Sequence, residues 1–219
     1  MPVCLTADII ASRDHPERAE LQERVEAVLR NANDQFGNEL LVPLTITLGD
    51  EWQGLTRSVA GAARIDFRLR QCLHPLAIAS GIGAGSVATP LRERTSQMDG
   101  PCFHLSRSAV DAAKQERSAA TVFRTDHDPR DTAANALCQL LHALSEQWTE
   151  RQFENLIAFI EHGTEATAAR ALGVSQPTLH QSLARSRGKT YLAAREALFR
   201  FLETCPAAPN SPTGRSADA

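Results

Sequence analysis

Three carboxylates stand where the chain changes direction. Asp8 lies near the end of the apolar run VCLTADII, and Asp50 and Glu51 share a turn in TITLGDEWQGL. Carboxylate oxygens are hard ligands, and two or three that converge can hold Mg²⁺ or Mn²⁺ while leaving positions for phosphate oxygens. The backbone carbonyl of Ile9 is a further oxygen beside Asp8. The amides leading from Ile10 through Ser12 towards a helix are donors for phosphates. Plainer readings compete: Asp8 as a cap on the loop and helix that follow, and Gly49-Asp50-Glu51 as a solvated hairpin turn. Trp52, next to the pair, either plugs the helical face of a sheet or lies at a subunit contact.

A second group with chemistry lies in TEATAARALGVSQPTLHQSLARSRGK. Ala168, Ala169 and Leu172 fall on one side of a short helix, Gly173 suits a positive-φ turn, and Val174 plugs the core beneath. Ser175 caps a second helix with Pro177 in its first turn, and Leu179 and Leu183 mark its inner side. This is the spacing of a helix-turn-helix. Its second helix would enter the major groove of double-stranded DNA with Ser175, Gln176, Thr178, His180, Gln181 and Arg185 forward, and Arg187 and Lys189 close behind. From Arg170 to Arg200 there are six Lys or Arg and a single acid, Glu196, so this stretch can face phosphate. An αα-hairpin used for protein contacts is the competing reading.

The elements that position these residues follow from periodicity. Strands are expected at 3–10, 42–48, 51–56, 76–88 and 119–125, and helices at 16–36, 57–73 and about 100–115. Asp14 is the expected cap of the first helix and Pro16 its first turn. The order predicts a ferredoxin-like α+β unit with its helices on one face of a mainly antiparallel sheet. Gly81, Gly83 and Gly85 lack the spacing of a dinucleotide fingerprint, and instead predict a twisted strand or one approached closely by another backbone. DHDPRD, 126–131, breaks the pattern, and everything beyond it is helical. The expected division is 1–125, a linker helix over 126–148, a helical unit over 149–204, and a disordered tail over 205–219. Ala134, Leu137, Leu141 and Leu144 form an apolar stripe on the linker that couples the two units or pairs two chains.

With 219 residues, 42% of them apolar, and a net charge of −3, the chain can bury a sizeable core and is no general polyanion binder. No apolar run reaches the length of a membrane span, and the first residues lack the basic start of a signal peptide, which predicts a cytoplasmic protein without membrane contact. Five scattered cysteines without CxxC predict free buried thiols.

LTADIIASR, ITLGDEWQGL, IASGIGAGSV and DGPCFHLSRSAV together resemble the successive blocks of the SatD family, and their order resembles the palm of class III nucleotidyl cyclases and GGDEF diguanylate cyclases. The resemblance implies a cyclase-type palm followed by the all-α helix-turn-helix domain. It makes Asp8 and Asp50 metal ligands, with Ile9 and Glu51 beside them. Ser12, Gly49, Gly100, His104 and Arg107 become nucleotide contacts. The chain departs from the cyclases at defined points. Ile46 stands where class III enzymes have a purine-selecting lysine, and Leu48 replaces the first glycine of GGDEF. His104 and Ser108 occupy the asparagine and arginine positions of the last helix motif, with Arg107 one residue early. These changes argue against ordinary cyclase activity. The expectation is a homodimeric bacterial transcription regulator that binds DNA and senses a nucleotide or divalent metal. The competing expectation is a metal-dependent nucleotidyl cyclase or nucleotidyltransferase.

Overall fold

β1 (Val3–Ile9) is the centre on which the first half is built. Its alternation sends Val3, Leu5, Ala7 and Ile9 to one face and Cys4, Thr6 and Asp8 to the other, and both faces are covered. The computed structural model describes residues 1–12, 16–115 and 120–204. Around β1 the sheet has the order β2-β3-β1-β4-β5, with β2 (Leu40–Leu48), β3 (Glu51–Thr56), β4 (Ile78–Ala84) and β5 (Thr121–Arg124). All neighbours are antiparallel except β4 and β5. The expected strand-helix-strand-strand-helix-strand order is present, and β5 extends it by one parallel edge strand.

α1 (Arg18–Gln35) and α2 (Val59–Leu73) lie on the face of Val3, Leu5 and Ala7. The first helix begins two residues later than expected: its buried stripe starts only at Leu21, so Pro16 is left in a bend, and Glu17 takes the cap position without capping the helix through its side chain. Asp14, the expected cap, lies outside the described residues. Trp52 is fully buried on this face and plugs it, as the first of its two readings had it. Within it Asp66, inaccessible to solvent, accepts from Arg70 Nε (2.9 Å), Ser80 and Thr121, tying α2 to β4 and β5. Removing one member of such a buried ion pair typically costs about 3–5 kcal/mol.

Helices do not all lie on one face. α3 (Pro101–Gln115) packs on the opposite one, because β4 turns Gly81 and Gly83 towards it. A Cβ on Gly81 would stand 2.2 Å from the Ser106 carbonyl oxygen, and one on Gly83 would stand 2.2 Å from the Ser106 amide nitrogen. The helix backbone therefore rests directly on the strand, which is the close approach expected of these glycines. The Ser106 hydroxyl donates to the Gly81 carbonyl (2.9 Å) and lies 2.6 Å from Thr6 Oγ1, which also accepts from Gln53 Nε2.

Both sheet edges are closed by an asparagine. Asn33 of α1 accepts from the Leu44 amide and donates to its carbonyl on β2. Asn135 does the same for Phe123 on β5. A primary amide satisfies one residue's donor and acceptor at once, and so blunts an edge otherwise open to strand addition.

Beyond β5 the chain is helical: α4 (Asp128–Ser145), α5 (Glu150–His162), α6 (Glu165–Ala171), α7 (Gln176–Arg185) and α8 (Gly188–Thr204). The polar break at 126–131 is the start of α4. Ala134 and Leu141 of its stripe are buried within the chain, and Leu137 and Leu144 pack against the same core, so the stripe couples the halves. Phe199 of α8 meets Phe67 of α2 edge-on at 5.5 Å, and His74 stacks on Phe153 of α5 at 3.7 Å. Cys4, Cys72, Cys102 and Cys138 are free thiols. Burial pushes Cys4 and Cys138 up to about 12 and Cys102 to about 11, so these three stay protonated near neutral pH. Cys205 and the rest of the expected tail lie outside the described residues. No helix among those described is long and apolar enough to cross a membrane.

Gly81→Ala forces α3 off the sheet, and urea unfolding should show a loss of about 3 kcal/mol or more. Gly37→Ala, whose Cβ would meet only one backbone oxygen at 3.4 Å, should stay within about 0.5 kcal/mol of the wild type. Equal effects at the two positions would contradict the close contact.

Candidate functional site

The face of β1 that carries Cys4 and Thr6 also carries Asp8, and the β1–β3 register sets Glu51 beside it on the neighbouring strand. The turn before Glu51 depends on Gly49, whose φ of 61° is left-handed and whose Cβ position is open. Gly49 thus serves the turn. The turn sets the Asp50 carboxylate near enough to Asp8 for its charge to raise the Asp8 pKa. Two of the carboxylates singled out in the sequence therefore meet.

Asp8 and Glu51 each have a partner that the sequence does not predict. Lys114, near the end of α3, pairs its ammonium with Asp8 Oδ2. Arg107, two turns earlier on the same helix side, pairs both guanidinium ends with the two oxygens of Glu51. Glu51 also accepts from Thr47 Oγ1 at 2.9 Å. Arg107 is thus a carboxylate bridge, the structural alternative to a phosphate contact. The Glu51 bond, followed by its charge, raises the Arg107 pKa. Burial lifts the Asp8 carboxyl above the ordinary range; the Lys114 bond opposes that lift and Asp50 adds to it.

The expected metal set does not assemble as a whole. Glu51 is turned to Arg107, Ile9 sits opposite Ile78 in the β1–β4 ladder, and among the described residues no three His, Cys, Asp or Glu side chains are grouped to hold an ion. One atom fits a cation: Asp50 Oδ2 is buried without a hydrogen-bond partner. The ammonium on Asp8 does not fit one. Charges of +1 and +2 about 4 Å apart repel by about 8 kcal/mol at an effective dielectric constant near 20. With a lysine already paired to one of the two carboxylates, the residues present do not fit a resident Mg²⁺ or Mn²⁺.

The expected nucleotide contacts are spread along α3 rather than gathered. Gly100 is wedged against the backbone of Ser86 and Ala88, where a Cβ would come within 2.6 Å. His104 pairs with Asp99 at 3.1 Å in an exposed setting. At 1.5 Å per residue, Gly100 stands about 10 Å along the helix axis from Arg107. Ser12 is buried in the turn after β1, at the Asp8 end. Along the outer side of α3 run two open crevices, of 400 and 570 Å³, that share Ala112 and Arg124. The smaller adds His104, Arg107, Asp111 and Gln115.

In the second half, α6 and α7 are joined by a tight turn with Gly173 at φ 66°. Ser175 accepts from the Thr178 amide as the N-cap of α7, as its spacing predicted. Leu179 and Leu183 are buried, as are Ala168 and Ala169. Ser175, Gln176, Thr178, His180, Gln181, Arg185, Arg187 and Lys189 are all exposed. Two of them are held: Lys189 and His180 both bond to Glu165, in that order the causes that lower the Glu165 pKa.

Lys114 was the site residue the sequence reading missed. Its seven-residue spacing from Arg107 puts both cations on one helix side but does not say what they meet.

No curated protein matches the chain. Among solved structures it is similar to a bacterial light-regulated adenylyl cyclase, at 15% identity over 68% of this chain and 80% of that one, with a TM-score of 0.41. It is also similar to a regulator of polyketide synthase expression from Bifidobacterium adolescentis, at 14% identity over 91% of this chain and 80% of that one, with a TM-score of 0.28. The family comparison reaches almost end to end: the SatD family (SatD) matches residues 3–202, and the chain belongs to that family.

Proposed function

We propose that this chain is a DNA-binding transcription regulator in which α6, the turn and α7 act as a helix-turn-helix, and in which the first half, read as a cyclase-like palm, senses a nucleotide. The observation that carries the DNA reading is the two-sidedness of α7. Leu179 and Leu183 anchor it, while Gln176, Thr178, Gln181 and Arg185 are all presented to solvent from a capped N-terminus. Amide and guanidinium groups in that position suit base edges and phosphates. Arg187 follows at a positive φ of 53° and Lys189 opens α8, so cations flank the exposed face. A dimer on two half-sites fits this mode of reading.

The nucleotide reading rests on the crevice beside Arg107, His104 and Arg124. Phosphate would draw Arg107 from Glu51 by offering an equivalent bidentate partner. α4 and α8 then provide the route by which such a change reaches α7, since both pack on the first half and on each other.

Gel-shift assays with promoter fragments from the protein's own locus should show specific binding that weakens steeply with salt. Arg187→Ala should weaken it for all sequences and reduce the salt slope by about 1. Absence of specific binding at every fragment would overturn the DNA reading.

A thermal-shift screen of nucleoside triphosphates, with and without Mg²⁺ or Mn²⁺, should give a rise in Tm that Arg107→Ala removes. No rise with any nucleotide would contradict the sensing role. Incubation of the same mixtures separates it from the cyclase or nucleotidyltransferase reading: a product that disappears in Asp50→Ala would make the chain an enzyme.

A further inference from the structure

The Asp8–Asp50 carboxylate pair has the composition of a divalent-cation site and the surroundings of something else. Asp8 lies in β1 just before its last residue, Ile9, Asp50 lies in the β2–β3 turn, and the two carboxylates are near enough for Asp50 to raise the Asp8 pKa. Asp50 Oδ2 is buried and unpartnered. The cation present at the pair is the ammonium of Lys114, delivered by α3 to Asp8 Oδ2. Its side chain is only 38% exposed and the Asp8 side chain 17%, so the pair is partly withdrawn from solvent screening. The neighbouring acid is occupied as well, since Glu51 is taken by Arg107 of the same helix.

We infer that Lys114 serves as a tethered cation in the place a divalent ion would take at Asp8 and Asp50, so that this half of the chain neither binds nor requires Mg²⁺ or Mn²⁺. A lysine reaches its position along a flexible stem and carries a single compact charge. Bound covalently to α3, it cannot be removed by chelators, and it ties the end of that helix to the end of β1. The inference is independent of the DNA and nucleotide readings. It concerns only what neutralises the carboxylates.

It also predicts a latent site. With the ammonium gone, two adjacent carboxylates and the orphaned Asp50 oxygen are left without compensation, and a hard divalent cation is the natural replacement.

The test is Mn²⁺ and Mg²⁺ titration of the full chain, read by calorimetry, by the Mn²⁺ paramagnetic resonance signal and by Tm. The wild type should show no saturable binding at millimolar ion and no change in Tm with chelator. Lys114→Met should gain Mn²⁺ binding with a rise of several degrees in Tm, and adding Asp50→Asn should abolish that gain. Saturable binding to the wild type that Asp50→Asn removes would overturn the inference, and so would a folded Lys114→Met protein that gains no binding. Lys114→Gln serves in its place if the methionine variant fails to fold, and the wild-type titration decides by itself if both do.

Discussion

The contact on which the rest of the first half depends is the seat of α3 on β4. Helices normally stand off a sheet by the length of their side chains. Here Gly81 and Gly83 remove those side chains on the strand, and the backbone of Ser106 comes into direct contact. That approach fixes the height of α3 above the sheet, and with it the reach of Arg107 to Glu51 and of Lys114 to Asp8. Ser106, Thr6 and Gln53 then form a buried polar line across the same interface. Sterics and charge pairing therefore agree on one position for the helix, and consistency of this kind is what specifies a single packing.

On the other face, continuity rather than closeness matters. The cluster that begins with Val3 and Leu5 runs through α1 and α2 to Ala134 and Leu141 of α4, and on to Leu183, Leu198 and Phe199. The helical half thus has no separate core. Phe67 against Phe199 and His74 against Phe153 join it to α2 and its C-terminal turn. Any coupling between the two halves, including the one proposed above, has to run through elements they share, and the element they share is packed apolar surface.

What could be read from the sequence was mostly local. Ser175 as a cap, Pro177 in the first turn and Gly173 at positive φ depend on a few neighbouring residues, and all three appear where their chemistry puts them. The glycine stripe of β4 was legible as a close approach, though not the side from which α3 would come. A glycine marks room without saying what fills it. The one-face placement of the helices failed for that reason. The start of α1 failed because Pro16 can open a helix or precede one. Asp8 and Asp50 were recognisable as partners across the sheet, but Lys114 was not, because its pairing depends on the height and direction of a helix remote in sequence. Glu51 reads as a metal ligand in the sequence, whereas in the fold it pairs with Arg107. Ion pairs formed across an interface are set by tertiary packing, and no local pattern encodes them.

The continuity of the two halves can be tested with the two tryptophans, since Trp52 lies in the sheet half and Trp148 in the helical half, where it donates to the Ser186 carbonyl at 2.7 Å and meets Tyr191 edge-on. Fluorine NMR of fluorotryptophan-labelled protein resolves both reporters in one sample during urea unfolding. A single shared core predicts one midpoint and one slope for both signals. Two separated transitions, with either tryptophan remaining native while the other is unfolded, would contradict it.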